Sequence, residues 1–229
     1  MEYKRITSGT FLKRPNRFIA HVEIGGSTEV CHVKNTGRCR ELLVPGARVY
    51  LEESDNPTRK TKYDLIAVEK ETLKGPLLIN MDSQAPNRVF GEWAKENLRP
   101  DLTLLRPETT FGNSRFDFYW EASDSKGFVE VKGVTLEEDG VVRFPDAPTE
   151  RGVKHIEELI EAKKAGYEAA LCFIVQMEGM DWVEPNDVTH PAFGAALRRA
   201  VQCGVEVMAL ECAVSPATLT AVRPLPVRL

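Results

Sequence analysis

The spacing of apolar residues changes near residue 80, and this change constrains the fold more than any other feature. Residues 9–80 contain short alternating runs separated by turn signals such as Gly25-Gly26, and no long stretch has helical spacing. Four or five strands in about 70 residues without a long helix favour a small barrel, with an OB-type barrel the natural candidate. From residue 81 onward, helical and strand patterns alternate. The sequence therefore predicts an OB-like β-barrel domain at 1–80 and an α/β sheet domain at 81–229.

The second domain has clear start and stop signals for its elements. Thr149 is a predicted N-cap for an amphipathic helix, and Gly166 ends that helix. Asp139-Gly140 predicts a hairpin turn. The run EAALCFIVQM is continuously apolar, as expected of a strand covered on both faces. We therefore expect helices on both faces of the sheet.

Composition and the start of the chain exclude several classes of protein. The 229 residues contain no apolar window of about 18 residues, so a membrane-spanning helix is not expected. The start MEYKRITSGTF lacks the apolar core of a signal peptide, which predicts a soluble, cytoplasmic protein. The five cysteines have no C-x-x-C spacing, and we expect reduced thiols rather than disulfides or a zinc site.

Positive charge is concentrated in the first 80 residues, although the whole chain has a formal net charge of −4. A local basic patch can bind phosphates whatever the overall charge. With Phe11, Phe18 and Tyr63 nearby, the basic loops favour a nucleic-acid groove, while a merely solvated surface is the alternative. The residues predicted to contact nucleic acid here are Arg14, Arg17, Lys34, Arg38 and Arg40.

A glutamate and a lysine lie two positions apart in the strand-like run GFVEVKGVTL. Glu130 and Lys132 share one face of this strand, because successive side chains of a strand point to opposite faces. Asp117 comes 13 residues before Glu130, on the preceding strand SRFDFYWE. The three residues resemble the D-x(n)-E-x-K pattern of the PD-(D/E)XK nuclease superfamily. The other face of SRFDFYWE is predicted to be apolar and to carry Phe116, Phe118 and Trp120.

The chemistry of that superfamily needs each part of the pattern. Paired carboxylates from Asp117 and Glu130 would hold Mg²⁺ or Mn²⁺, and the backbone carbonyl of Val131 can supply a further oxygen. Such a cation polarises a phosphodiester and activates water. Lys132 would orient or deprotonate that water and stabilise the negative charge of the transition state. Because E-x-K alone occurs by chance in many strands, an ordinary surface ion pair is the alternative.

The helix after the hairpin presents a second polar cluster. Arg151, Lys154, His155 and Glu158 are spaced three or four apart, and the first three are predicted to contact nucleic acid. The alternative is a solvated face with an Arg151–His155 and a Lys154–Glu158 pair. Ordinary structural roles, rather than metal binding, are expected for three other acids: Glu92, Glu96 and Asp146.

Several sequence blocks together resemble the sugar fermentation stimulation protein A family: RPNRFIAHV, CHVKNTGRCRELLVPG, NRVFGEW, SRFDFYW, FVEVKGVTL and FPDAPTERGVKHIEEL. They recur in the family's order across most of the chain. The resemblance implies an OB-type barrel followed by a restriction-endonuclease-like α/β/α sheet domain. It also implies DNA binding of low sequence specificity and a regulatory role in maltose and sugar metabolism. The family's pattern places Asp117, Glu130 and Lys132 at the nuclease positions, with none of them substituted.

These features lead to two main functional hypotheses. The first is a nuclease dependent on Mg²⁺ or Mn²⁺, and the second is a non-catalytic DNA-binding regulator that keeps the nuclease fold. An oligosaccharide-binding barrel is a third idea, but the basic loops favour phosphates. No helix-turn-helix pattern is visible in the sequence. The expected partner is therefore DNA, or RNA, bound largely without regard to sequence.

Overall fold

The computed structural model describes residues 1–35 and 37–229, and its first sheet comes entirely from the N-terminal part of the chain. This sheet has six strands: β1 Ile6–Asn16, β2 Ile19–Ile24, β3 Ser27–Val33, β4 Arg48–Glu53, β5 Tyr63–Thr72 and β6 Gly75–Asn80. Their order is β3-β2-β1-β4-β5-β6. A parallel pairing of β3 with β5, at His32–Asp64 and Val33–Leu65, closes the first five strands into a barrel. Closure of this kind removes exposed strand edges.

Local sequence explains most of the barrel. Ala20 and Val22 alternate inward along β2, and Gly25 and Gly26 both take the positive φ that a tight turn requires. Two strands were not predicted, β1 and β6, because β1 contains many polar residues and Pro15, and β6 is short. Both gain their strand structure by pairing with their neighbours, β1 with β2 and β4, and β6 with β5.

The C-terminal part of the chain forms a second six-stranded sheet between two layers of helices. The helices are α1 Ala85–Asn97, α2 Glu150–Lys164 and α3 Pro191–Gln202. The strands of the large sheet, in spatial order, are β15 Leu219–Leu225, β14 Glu206–Val214, β12 Glu168–Val175, β9 Lys126–Val134, β8 Ser114–Glu121 and β7 Leu104–Phe111. A small separate sheet joins β10 Glu137–Glu138, β11 Val141–Phe144 and β13 Trp182–Pro185.

The helices cover both faces of the large sheet. On one face, Val89 and Phe90 of α1 pack in a cluster with Val129 of β9. On the other face, Ile156 of α2 and Phe193 of α3 belong to the second apolar cluster. The three central strands β9, β12 and β14 run parallel, whereas the outer pairings are antiparallel. The predicted α/β/α arrangement is therefore confirmed.

The predicted ends of α2 and the hairpin before it are confirmed. The hydroxyl of Thr149 accepts a hydrogen bond from the amide of Gly152, and Gly166 has a positive φ directly after the helix. Asp139 and Gly140 both have positive φ, as a tight hairpin turn requires. Three short or edge strands were not predicted, namely β7, β13 and β15, because none has a long alternating pattern.

One predicted face is wrong. Phe118 packs with Phe90 on the α1 side, but Phe116 lies on the opposite side of the sheet, against Phe128. The pairing of β8 with β9 ends at Phe118, and Glu108 of β7 has a positive φ at the same level. The strand therefore bends at Asp117, and simple alternation fails beyond the bend.

A buried polar network joins the two domains. The side-chain amide of Asn80 donates to the Tyr3 hydroxyl at 2.9 Å. The side-chain amide of Gln176 donates to the side-chain oxygen of Asn80, also at 2.9 Å. Gln176 also donates to the backbone carbonyl of Asp82 at 3.1 Å. Since Asn80 ends the barrel and Gln176 follows β12, these bonds fix the end of one sheet to the end of the other.

Two further features agree with the expectations from composition. In the part of the chain that the structure describes, no helix combines the length and apolar character needed to cross a membrane. All five cysteines are unpaired, and four of them are buried.

An ion pair between the domains gives a testable prediction. Lys70 of β5 donates to the carboxylate and the carbonyl of Glu137, each at 2.6 Å, and the carboxylate also accepts the amide of Gly140. Burial would raise the pKa of Glu137, but the bonds from Lys70 and Gly140 prevail and lower it. Lys70→Met should therefore lower the free energy of unfolding by about 1–3 kcal/mol at pH 7, measured by urea unfolding.

The pH dependence has a defined sign. A carboxyl group whose pKa is lower in the folded state stabilises the fold above its unfolded pKa, about 4.3 for glutamate, and loses that effect as pH falls. The difference between Lys70→Met and the parent chain should thus shrink below about pH 4. Lys95→Met, at an exposed position of α1, is the matched control. A difference that stays constant with pH would contradict this role for Glu137.

Candidate active site

Asp117 and Glu130 lie on neighbouring strands at the point where these strands separate. The β8–β9 pairing ends at Phe118 and Val129, so Asp117 and Glu130 are the first residues of the two strands beyond it. Instead of the next backbone bond, the Asp117 carboxylate accepts the amide of Val131 at 2.8 Å. Glu130 bonds to His155 of α2, whereas Asp117 bonds to Asn87 of α1. The two carboxylates nonetheless interact, because burial raises the pKa of Asp117 most and the charge of Glu130 is close enough to raise it further.

Asp117 is held by two donors and partly desolvated. Its second carboxylate oxygen accepts the side-chain amide of Asn87, in the first turn of α1, at 2.8 Å. Burial raises the pKa of Asp117, and the negative charge of Glu130 raises it further, against the two hydrogen bonds. Asn87 was not predicted to belong to the site, since a single asparagine in a helix carries no sequence signal for it.

Glu130 is the most deeply buried charge of the site, with 2% of its surface exposed. One of its oxygens, Oε1, accepts hydrogen bonds from Lys132 Nζ at 2.5 Å and from His155 Nδ1. Burial alone would raise the pKa of Glu130, but the His155 bond and the Lys132 charge lower it. Its other oxygen, Oε2, is buried and has no hydrogen-bond partner among the described residues. The predicted Glu130–Lys132 contact is therefore present, but inside the protein rather than at the surface.

His155 lies differently from the expected nucleic-acid contact. It is buried between Glu130 and Arg151, whose Nε lies 3.4 Å from His155 Nε2, so its imidazole cannot lie on an open helix face. With Arg151 as donor to Nε2, the network assigns the His155 proton to Nδ1, facing Glu130. Arg151 and Lys154 are exposed, and Lys154 lies 3.8 Å from Glu158, so both predicted side-chain pairs of α2 are present.

The donor set of this site suits a hard divalent cation. The charge of Glu130 acts on the nearby Asp117 carboxyl, and Glu130 Oε2 is a buried oxygen without a hydrogen-bond partner among the described residues. Within residues 1–35 and 37–229 there is no group of three or more His, Cys, Asp or Glu residues arranged for a metal. Carboxylate oxygens are the ligands that hard divalent cations prefer.

The basic residues of the barrel divide into two groups. Arg14 donates to four backbone carbonyls, those of Arg17, Asn35, Gly37 and Arg38, at 2.7–2.9 Å. Lys34 lies 3.1 Å from the buried carboxylate of Asp82. These two side chains therefore organise the protein itself. The second group is exposed and consists of Arg17, Arg38 and Arg40.

The aromatic and acidic residues singled out in the sequence also separate. Phe11 is buried in the barrel core, whereas Phe18 at the β1–β2 turn is 53% exposed. Tyr63 is partly buried, with Lys62 Nζ 5.0 Å from its ring centroid. Among the acids, Glu92 accepts the amino group of Met1 at 2.6 Å, and Asp146 lies in the loop before α2. Neither acid belongs to the carboxylate pair, as expected.

A cleft of about 1030 Å³ separates the barrel from the sheet domain. One wall is formed by the β1–β2 turn and the loop after β3, and it carries Arg17, Arg38 and Arg40. The other wall is formed by residues 133–136, directly after Lys132, and by residues 143–149, directly before α2. Gly133 and Val134, the last residues of β9, line the cleft and directly follow Lys132, so this strand connects the carboxylate site to the cleft.

Comparison with known proteins identifies both halves of this architecture. Residues 12–78 match the family model described as the SfsA N-terminal OB domain, and residues 84–218 match the sugar fermentation stimulation protein RE domain. The chain belongs to the sugar fermentation stimulation protein family. The expected OB-type barrel is therefore confirmed.

Relatives in this family match over almost the whole chain. A sugar fermentation stimulation protein homolog from Desulfitobacterium hafniense (strain Y51) is 58% identical over 96% of this chain and 95% of its own. The homolog from Ruminiclostridium cellulolyticum is 53% identical over the full length of both. A solved structure described as Pyrococcus furiosus SfsA in complex with Ca²⁺ has a TM-score of 0.88 and 29% identity, covering 100% of this chain and 98% of that one.

The buried contact between His155 and Glu130 generates a second prediction. His155→Leu leaves Glu130 buried with Lys132 as its remaining donor, and we expect a loss of about 1–3 kcal/mol in the free energy of unfolding. In the double variant Glu130→Gln/His155→Leu the total loss should be smaller than the sum of the single losses, because the two side chains share one interaction. Urea unfolding at pH 7 measures all three variants.

Lys154→Leu is the control for that cycle, since Lys154 is an exposed residue of the same helix. Its effect should stay within about 0.5 kcal/mol, as for most surface substitutions. Additive losses in the double variant would show that His155 and Glu130 do not stabilise each other.

Proposed function

We propose that this protein is a metal-dependent nuclease that hydrolyses phosphodiester bonds with Asp117, Glu130 and Lys132. The observation that carries the proposal is the pair of desolvated, interacting carboxylates beside a lysine, with Glu130 Oε2 left without a hydrogen-bond partner among the described residues. Burial raises the pKa of Asp117, and repulsion from the negative charge of Glu130 raises it further. A divalent cation between them would relieve that repulsion.

Each residue has a defined part in this proposal. Asp117 and Glu130 would hold Mg²⁺ or Mn²⁺, with the Val131 carbonyl as a third oxygen. The cation, when bound, supplies the charge that polarises the phosphodiester and lowers the pKa of water. Lys132 donates to Glu130 at 2.5 Å and would turn its ammonium toward the reacting phosphate, where it offsets the added negative charge. Asn87 holds the Asp117 carboxylate in position.

Two further observations support a nucleic-acid substrate. The exposed residues Arg17, Arg38 and Arg40 line the cleft that adjoins the carboxylate pair, and basic loops of this kind bind phosphates. Arg151 and Lys154 are exposed on α2, the helix that covers Glu130. The Pyrococcus furiosus relative was solved with Ca²⁺, a cation that takes the same oxygen ligands as Mg²⁺. DNA bound without regard to sequence is the substrate we propose.

Metal binding gives the first test of this function. Mn²⁺ or Mg²⁺ should raise the melting temperature, because a ligand at 100 times its Kd stabilises the folded state by about 2.7 kcal/mol. Asp117→Ala should abolish this increase. Asp124→Ala, in the exposed turn between β8 and β9, should keep it. An equal metal-induced increase in the Asp117 variant would place the cation elsewhere.

Lys132 gives the second test. Lys132→Ala should bind DNA and metal but cleave at least about 100-fold more slowly, the loss typical of a positioned proton-transfer or electrostatic group. Lys126→Ala, an exposed lysine of the same strand, should cleave as the parent chain does. The exchanged pair Glu130→Lys/Lys132→Glu should be inactive, since metal binding and charge stabilisation are not exchangeable. Cleavage by the exchanged pair would show that both residues have only a structural role.

A second function is favoured by one observation. The charge of Glu130 is already compensated by Lys132 and His155 inside the protein, as it would be in a site that never binds a cation. A non-catalytic DNA-binding regulator with a role in sugar metabolism would keep such a site. Incubation of the purified parent chain with labelled DNA and RNA in Mn²⁺, Mg²⁺ or EDTA separates the two functions. Cleavage that depends on the metal supports the nuclease, and binding without cleavage supports the regulator.

A further inference from the structure

The two walls of the cleft between the domains approach each other closely at one point. A methyl group built on Gly37, in the loop after β3, would lie 2.9 Å from a carboxylate oxygen of Asp146 in the loop before α2. Only a residue without a side chain allows this approach. The two loops therefore meet across the cleft, and the remaining space of about 1030 Å³ is close to the upper end of the range for pockets that surround a ligand.

The basic wall of this cleft is rigidly held. Arg14 bonds to the carbonyls of Asn35, Gly37 and Arg38, and to that of Arg17 in the β1–β2 turn. The guanidinium of Arg14 therefore holds the backbone of both Arg17 and Arg38, whose own side chains are exposed. Such a wall is positioned for phosphates before any ligand binds, which lowers the entropic cost of binding.

An exposed aromatic residue directly follows Arg17 of this wall in the β1–β2 turn, just outside the residues that line the cleft. Phe18 follows Arg17 and is 53% exposed, although most large apolar side chains of the barrel are buried. Its backbone is fixed, since Asn16 accepts the amide of Phe18 at 2.9 Å and Val33 donates to the Phe18 carbonyl at 2.8 Å. A fixed, exposed ring next to arginines is the arrangement on which unpaired bases stack.

We infer that the cleft holds a single-stranded segment of nucleic acid, with its phosphates on Arg17, Arg38 and Arg40 and a base on Phe18. The inference rests on the proposed function, because it names the substrate of that site. The bases of a double helix are stacked on each other and are not available to Phe18. An unpaired strand offers both the phosphates that the arginines can bind and a free base for the exposed ring.

The test compares binding of three labelled oligonucleotides by fluorescence anisotropy, with the full chain in EDTA. The probes are about 12 nucleotides long, within the site size of an OB fold: single-stranded DNA, RNA of the same sequence, and a blunt DNA duplex of that length. We expect either single strand to bind at least about tenfold more tightly than the duplex. The DNA and RNA arms show which sugar the cleft accepts.

Two variants locate the binding surface. Phe18→Ala should weaken single-strand binding about tenfold, as expected for the loss of one stacked base, while Leu73→Ala, a truncation at a residue 98% exposed, should not. Arg38→Ala/Arg40→Ala should reduce the slope of log affinity against log salt by roughly 1.4, about 0.7 for each lost phosphate contact. The matched loss of two exposed charges in Lys95→Ala/Lys164→Ala should leave the slope unchanged.

The inference is overturned if the duplex binds as tightly as the single strands, or if Phe18→Ala has no more effect than Leu73→Ala. These binding measurements do not require catalysis. Absence of cleavage with every metal would therefore overturn the proposed nuclease activity alone. Cleavage of a duplex by a protein that does not prefer single strands would overturn this inference alone.

Discussion

A single buried negative charge, that of Glu130, sets the arrangement of the sheet domain around it. An isolated carboxylate in a central strand is strongly unfavourable unless donors surround it. Lys132 supplies one donor from the same strand, and His155 supplies another from α2, so the helix must lie with this turn against the sheet. The pairing of β8 with β9 ends just before this charge, and Asp117 of β8 accepts the amide of Val131, the residue after Glu130. The geometry of the site is therefore a consequence of how one charge is accommodated.

The second constraint is the contact between the domains. Asn80, Tyr3 and Gln176 form a buried network in which backbone and side chains satisfy each other, and networks of this kind stabilise the fold only when they are complete. Asn80 also donates its backbone amide to the Gln176 carbonyl at 2.9 Å. The barrel and the sheet domain are thus joined end to end by directional bonds. Such bonds define the position of the basic loops relative to the carboxylate pair more closely than an apolar contact would.

The sequence predicts the parts of this structure that depend on local periodicity and on short signals. The helices, the hairpin at Asp139-Gly140 and the shared face of Glu130 and Lys132 all follow from such patterns. It does not predict contacts that depend on how distant elements meet. The sequence predicts that His155 lies on an open helix face, but packing of α2 on β9 buries it against Glu130. The sequence also predicts that Arg14 binds phosphate, but Arg14 bonds to backbone carbonyls of the protein itself. Phe116 lies on the other face because the pairing between β8 and β9 ends at Phe118. Such an end of pairing cannot be read from the composition of one strand.

The bonds made by Arg14 separate the shape of the basic loop from its surface chemistry. All four acceptors are backbone carbonyls, which are present whatever side chains the loop carries. Substitution of Arg17 or Arg38 therefore alters the charge that the loop displays without removing a contact that shapes it. A loop built in this way is free to diversify. Evolution, or a protein engineer, could exchange its exposed residues one at a time to change what the cleft recognises, while the fold beneath stays the same.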